Sequence, residues 1–381
     1  MNFKKSGFIK TVILPILFFI SPKFAKFIVF KYTSKFADMG HSDAQNELGL
    51  IYLNGEGVVQ NYQKAFEWFN KAASQNNPSA QTNLGVMYHK GQGKLQNYEK
   101  ALDWYLKAAI QGDSNAQNNL GHMYRHGLGI EQNYQKAIEW YSKAAAKDNH
   151  LAQINLGSMY QNAEGVEENY DKALESYKKL AAQGHAEAQN NLAVMYLNGQ
   201  GVTPNYKKAY KWFTRAVAQE FPAALCSLGW MYQHGQGVSQ SYRKAFDLYN
   251  RAAIQGDTNA QNNLAVMYIT GQGITQNDMK AFEWFNKAAF QGSANAQTNL
   301  GSMYYKGIGA SQSYEKALEW YSKAAAQNDA TAQNNLGVLY ENGQGVIQSS
   351  QKALEWYRKA AAQGNIDAQN NLVEMSKKGF I

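Results

Sequence analysis

The chain has a single cysteine, Cys226, among 381 residues, so no disulfide within the chain can form and the thiol is expected to be buried or half-buried. It also lacks a broad basic surface. Seven lysines of residues 1–40 (Lys4, Lys5, Lys10, Lys23, Lys26, Lys31 and Lys35) stand against Asp38 alone and supply most of the formal charge of +8. The remainder carries 30 basic and 28 acidic residues, a near balance that disfavours nucleic acid as a partner. Catalytic signatures are missing as well. There is no His-Glu-x-x-His, no Gly-x-Ser-x-Gly, and no Ser/His/Asp set that stands out. The Gly-x-Gly pairs recur in almost every unit, with no strand before them and no Lys-Ser/Thr after them. Neither enzyme chemistry nor a cofactor is expected. The apolar run Thr11–Ile20, interrupted by Pro15, is too short to cross a bilayer.

What the chain does have is a register. Leucine recurs every 36 residues at Leu48, Leu84, Leu120, Leu156, Leu192, Leu228, Leu264, Leu300, Leu336 and Leu372. Such a period marks a solenoid, in which each unit buries its apolar face only against copies of itself. Residues 77–112 show the unit. Asn77 caps a first helix with Pro78 at its first position, and Ala80, Leu84, Met87 and Tyr88 form its apolar stripe. Asp113, Asp257 and Asp329 hold the same cap position, and Gly85 leaves room for a close helix approach. Gly91 and Gly93 permit a left-handed turn. A second helix opens at Asn97, a position that reads Asn or Ser in all nine units. Its stripe is Ala101, Trp104, Tyr105 and Ala108, and Gly112 closes it. On the outer face, pairs such as Glu67–Lys71, Asp103–Lys107, Glu139–Lys143, Glu283–Lys287 and Glu319–Lys323 have the spacing of helical ion pairs. The fold predicted is all-α: an α/α superhelix (solenoid) of about nine 36-residue helix–turn–helix repeats plus a terminal helix.

Residues 116–145 carry Ala116, Leu120, Gly121, Tyr124, Gly127, Gly129, Asn133, Tyr134, Lys136, Ala137, Trp140, Tyr141, Lys143 and Ala144. This pattern resembles the Sel1-like repeats, relatives of the tetratricopeptide repeats, over about residues 41–379. The resemblance implies a right-handed α/α superhelix that serves as a scaffold or adaptor for protein complexes, often bacterial. A cysteine-rich branch of the family has bridged helices; its properties do not carry over to this chain.

Comparing the units with one another separates positions that the fold requires from positions that drift. On the first helix the drifting positions share one face. They include Thr82, Val86, His89 and Lys90; Asn118, His122, Arg125 and His126; Ile154, Ser158, Gln161 and Asn162; Cys226, Trp230, Gln233 and His234; and Thr298, Ser302, Tyr305 and Lys306. The reading is a groove that binds a peptide or protein, with His89, Lys90, His122, Arg125, His126, Gln161, Trp230, Gln233, His234, Tyr305, Lys306 and Glu341 as its candidate residues. The alternative is that these are unconstrained solvent positions. Trp230, in the divergent stretch 217–230, is either an exposed anchor or a filler of the space left where Leu248 replaces the usual tryptophan. His122 and His126 could share a metal, but two ligands without a third make no stable site. The asparagines of Ala-Gln-Asn-Asn-Leu, which follow Ala116, Ala188, Ala260, Ala332 and Ala368, recur with the period and are expected to pair along the stack.

Lys4, Lys5 and Lys10 followed by Thr11–Ile20 have the layout of a secretory leader, though no clear cleavage site follows. Three segments are expected: 1–27 as leader, anchor or cap, 28–40 as a degenerate capping helix, and 41–381 as the repeats. A membrane tether through residues 8–30 would place the array in the periplasm, outside the cell or at a membrane; a cytoplasmic chain with an apolar cap is the alternative. The leader also keeps open a cell-envelope module that binds glycan or a membrane surface.

Overall fold

The structure, a computed structural model, describes residues 22–380; the apolar run Thr11–Ile20 and most of the leader lie outside the described residues. Among the described residues there are twenty helices and no strand. None of those helices is long and apolar enough to cross a membrane. The chain divides into two compact units, residues 1–179 and 180–381.

In the first unit, helix Pro22–Asp38 leads into three hairpins: Ser42–Asn54 with Tyr62–Ser74, Pro78–Lys90 with Tyr98–Ile110, and Ser114–His126 with Tyr134–Ala145. Helix His150–Gln161 and the first part of Tyr170–Ala182 complete it. The leading helix runs unbroken through residues 27 and 28 and buries Ala25, Val29, Thr33 and Ala37. The second unit begins with the end of Tyr170–Ala182 and contains five hairpins, from Ala186–Asn198 with Tyr206–Val217 to Ala330–Asn342 with Ser350–Ala362. Helix Ile366–Lys377 closes it.

Local chemistry fixes the helix ends as the spacing predicts. Asn97 and Asn133 accept the backbone N–H of Lys100 and Lys136, and Asp113 accepts that of Ala116. Caps of this kind stabilise a helix by about 1 kcal/mol each. In the Gly-x-Gly turns the second glycine has a further duty. At Gly129 (φ 68°) an added Cβ would lie 2.6 Å from the Cβ of Tyr98, so each loop rests directly on the start of the preceding second helix.

Each hairpin closes around one aromatic ring of its second helix: Phe69, Tyr105, Tyr141 and Tyr177 in the first unit, and Phe213, Tyr249, Phe285, Tyr321 and Tyr357 in the second. The ring lies against the residue that follows the register leucine. A Cβ on Gly121 would come within 2.6 Å of the Tyr141 ring, and one on Gly301 within 2.7 Å of Tyr321. The tryptophans lie further out than their stripe suggested. Only Trp320 is buried, whereas Trp68, Trp104, Trp140, Trp212, Trp284 and Trp356 are half-buried. A cation covers each ring, as with Lys71 at 3.9 Å from Trp68 and Lys107 at 4.4 Å from Trp104. This corrects the expected outer-face ion pairs. Of the five, only Glu319–Lys323 closes, and Lys323 also lies 4.2 Å from the Trp320 ring; the other four lysines rest on their tryptophan faces.

Two side-chain amide ladders tie successive hairpins. Asn83 donates to Asn46 at 2.9 Å and Asn155 to Asn118 at 3.0 Å in the first unit; Asn299 to Asn262 and Asn371 to Asn334, both at 3.0 Å, repeat the bond in the second. A glutamine ladder runs beside it. Gln261, for example, donates to the carbonyl of Ala253 at 3.1 Å and accepts from Gln291 at 2.9 Å. Replacing Gln261 by leucine leaves the Ala253 carbonyl buried without this donor, and chemical denaturation should register a loss of about 1–3 kcal/mol. Gln255, exposed and off the ladder, serves as the control and should show no loss when changed to leucine.

Candidate protein-binding face

The drifting positions of the first helix fall into two kinds. One kind answers to the core. A buried phenol hydroxyl needs a hydrogen-bond partner, and a phenyl ring does not. Tyr177 donates to Gln161 at 3.3 Å, Tyr249 to Gln233 at 2.8 Å and Tyr357 to Glu341 at 2.8 Å. Tyr105 faces His89 with ring centroids 6.5 Å apart, and Tyr141 lies beside Arg125. Where the ring is phenylalanine, the same register holds an apolar residue: Leu53 with Phe69, Leu197 with Phe213, Ile269 with Phe285. The step residue follows suit. Every tyrosine repeat has glycine there, and Ala193 and Ala265 occur with Phe213 and Phe285. Variation at Gln161, Gln233 and Glu341 therefore tracks the phenol beneath, whereas the Tyr321 hydroxyl is met by Ser302 at 3.0 Å and that of Tyr141 has no hydrogen-bond partner among the described residues.

Several of these residues also bond to the next turn. Arg125 holds Glu164 with two bonds of 2.6 and 2.9 Å and reaches Ser158 at 3.0 Å. The pair keeps the Glu164 carboxyl below the usual range, chiefly through the Arg125 hydrogen bond. Tyr305 donates to Gln344 at 3.1 Å. Glu164 was missed in the sequence, yet a signal existed: Arg125–Glu164, Gln233–Gln272 and Tyr305–Gln344 share one separation of 39 residues.

The second kind stays open. Lys90, His126, Trp230, His234 and Lys306 are exposed. Trp230 is 38% exposed with its ring on His234 at 4.5 Å, while Leu248 is buried in its own hairpin. Trp230 is therefore exposed and does not fill the space beside Leu248. Cys226 is half-buried, and burial, with help from Asp257, pushes its thiol up to about 12, so it is no nucleophile at neutral pH.

The first unit also holds two cavities on this face, the smaller of them lined by the open Lys90. The larger, about 600 Å³, is lined by first-helix residues of successive hairpins, among them Asn46, Leu50, Asn83 and Asn115, with Lys26 from the leading helix. The smaller, about 280 Å³, brings together the candidate residues His89, Lys90 and His122 with Tyr105, Asn118 and Asn119. His122 and His126 have ring centroids 4.5 Å apart. Among the described residues no three His, Cys, Asp or Glu side chains converge as metal ligands.

The Sel1 repeat family model matches nine consecutive segments, from residues 42–77 to residues 330–365. The chain is a Sel1 repeat protein. A protective antigen with an SLR fold from uropathogenic Escherichia coli strains is 37% identical to it; the match covers 94% of this chain and 79% of that one, with a TM-score of 0.57. A Sel1 repeat protein from Oxalobacter formigenes is 29% identical over 86% of this chain and 93% of that one, with a TM-score of 0.54. No curated protein matches the chain. Sel1 repeat proteins generally act in protein–protein interaction.

Burial first, then the neighbouring His126, His89 and Arg125, bring His122 down to about 4 from 6.5. The fold thus favours the neutral ring, and the unfolded chain takes up the proton first. Stability from this group is complete above pH 6.5 and is lost as the pH falls from there through about 4. Melting temperatures measured across that window should fall less steeply for His122→Phe than for the unchanged chain.

Proposed function

We propose that this Sel1 repeat protein is a non-enzymatic scaffold that grips a peptide or protein segment on the first-helix face of its repeats. One observation carries the reading: once the positions that serve the core are set aside, that same face still presents an exposed Trp230–His234 stack in one unit and two cavities in the other. An aromatic ring held open to solvent suits an anchor, since buried tryptophan contacts dominate binding energies at interfaces. The second-helix surface offers lysine-covered tryptophans and solvated charges, with single exposed apolar side chains such as Ile110, Ile254 and Phe290 at its helix ends.

Arg125 and Tyr305 are poor choices for mutation because both hold neighbouring side chains. Photo-cross-linkers placed at His234 and, as a control, at Glu319 on a second helix separate the faces. Adducts with a defined partner should form from position 234 and be lost on Trp230→Ala, with helical content unchanged. Equal yields from both positions would defeat the groove.

The layout of residues 1–20, basic and then apolar, supports export or membrane tethering of the array. An antigen is by definition met by the immune system, so the relative from uropathogenic Escherichia coli adds weight. Cell fractionation should recover the chain outside the cytoplasmic fraction; a wholly cytoplasmic chain excludes export.

A further inference from the structure

We propose that the smaller cavity of the first unit is a carboxylate site, which receives an aspartate or glutamate side chain of an acidic partner peptide between Lys90, His89, His122 and the amides of Asn118 and Asn119. The inference deepens the groove reading and rests on it. Three features of the cavity argue for it.

First, its polar lining is rich in donors, with the Lys90 ammonium, two imidazoles and two carboxamides, and no carboxylate lines it. Second, the fixed cation of the cavity, the Lys90 ammonium, makes no ion pair or side-chain hydrogen bond among the described residues, whereas Arg125, on the adjacent helix, is taken up by Glu164. Third, the basic groups crowd one another without an anion between them. His89 and His122 stand 6.0 Å apart, His126 lies beyond His122, and Lys90 and Arg125 flank the pair from the two helices. Tyr105, from the second helix beneath, is neutral because burial holds its hydroxyl above the usual range. A carboxylate in the cavity would meet Lys90 directly and accept imidazole N–H bonds. One fixed charge with two titrating rings matches a monoanion, while a phosphate dianion calls for the bidentate guanidinium that Glu164 occupies.

The bound anion favours protonated imidazole, so binding draws protons and must tighten as the pH falls. The probe is an acetylated, amidated Gly-Glu-Gly-Glu-Gly peptide, with its glutamine and phosphoserine counterparts, titrated into the full chain and followed through the histidine ring resonances. At pH 6 the glutamate peptide should bind about tenfold more tightly than the glutamine one, the weight of one charge-assisted hydrogen bond. It should shift His89 and His122 but not His234, and its advantage should shrink by pH 8. Lys90→Gln, at an exposed position that leaves the fold intact, should abolish most of the preference, and His122→Gln should remove its pH dependence. Equal binding of the glutamate and glutamine peptides, a stronger response to phosphoserine, or a preference that ignores Lys90 would overturn the assignment. Cross-linking from His234 reports on the other unit, so the groove reading stands or falls separately.

Discussion

The seating of one aromatic ring on the residue after the register leucine is the contact from which the rest of each repeat follows. The ring comes from the second helix and fills the space where the first helix has no side chain, which fixes how closely the two can approach. In three repeats its hydroxyl finds a partner one turn further along the first helix, at Gln161, Gln233 and Glu341. Where the ring is phenylalanine, that position holds a leucine or isoleucine instead. In those repeats core and binding face are coupled through a single phenol oxygen, and one cannot change freely without the other.

The same logic explains where the array is irregular. At residues 225–227 the usual Gln-Asn-Asn reads Leu225, Cys226 and Ser227, so neither amide ladder passes through. Ser227 is too short to reach back, and the buried Oδ1 of Asn190 has no partner. Phe221 provides no side-chain cap and Glu220 adopts φ 55° where other repeats have glycine, asparagine or aspartate. Apolar Leu225, fully buried, offsets part of these losses. In the first unit, Lys147 stands where glutamine would donate, bonds to the Gly112 carbonyl at 2.6 Å, and leaves the buried Oε1 of Gln117 unpaired.

Much of this was legible in the sequence. Period and helix ends follow the register, as do most caps and asparagine pairs, with Phe221 and Asn190 as exceptions. The face was legible too, because drift at spacings of four, three and one identifies one side of a helix. What the register could not separate was drift permitted by solvent from drift imposed by the core. His89, Arg125, Gln161, Gln233, Tyr305 and Glu341 look free when units are compared position by position. Gln161, Gln233 and Glu341 cease to look free once each is read with the tyrosine it accepts from, 16 residues on. The tryptophans misled for a related reason: helical spacing places a side chain on a stripe but does not say how deep it lies, and a lysine one turn later makes a half-exposed ring tolerable.

Thermal and denaturant unfolding of one rewritten repeat tests the coupling most directly. Gly229→Ala alone forces a methyl against the Tyr249 ring, tethered to Gln233 at 2.8 Å, and should cost about 1–3 kcal/mol. Combined with Tyr249→Phe and Gln233→Ile, the arrangement already present at Ala265, Phe285 and Ile269, it should leave the chain within about 1 kcal/mol of its parent. A triple variant as unstable as the sum of its single substitutions would contradict the account.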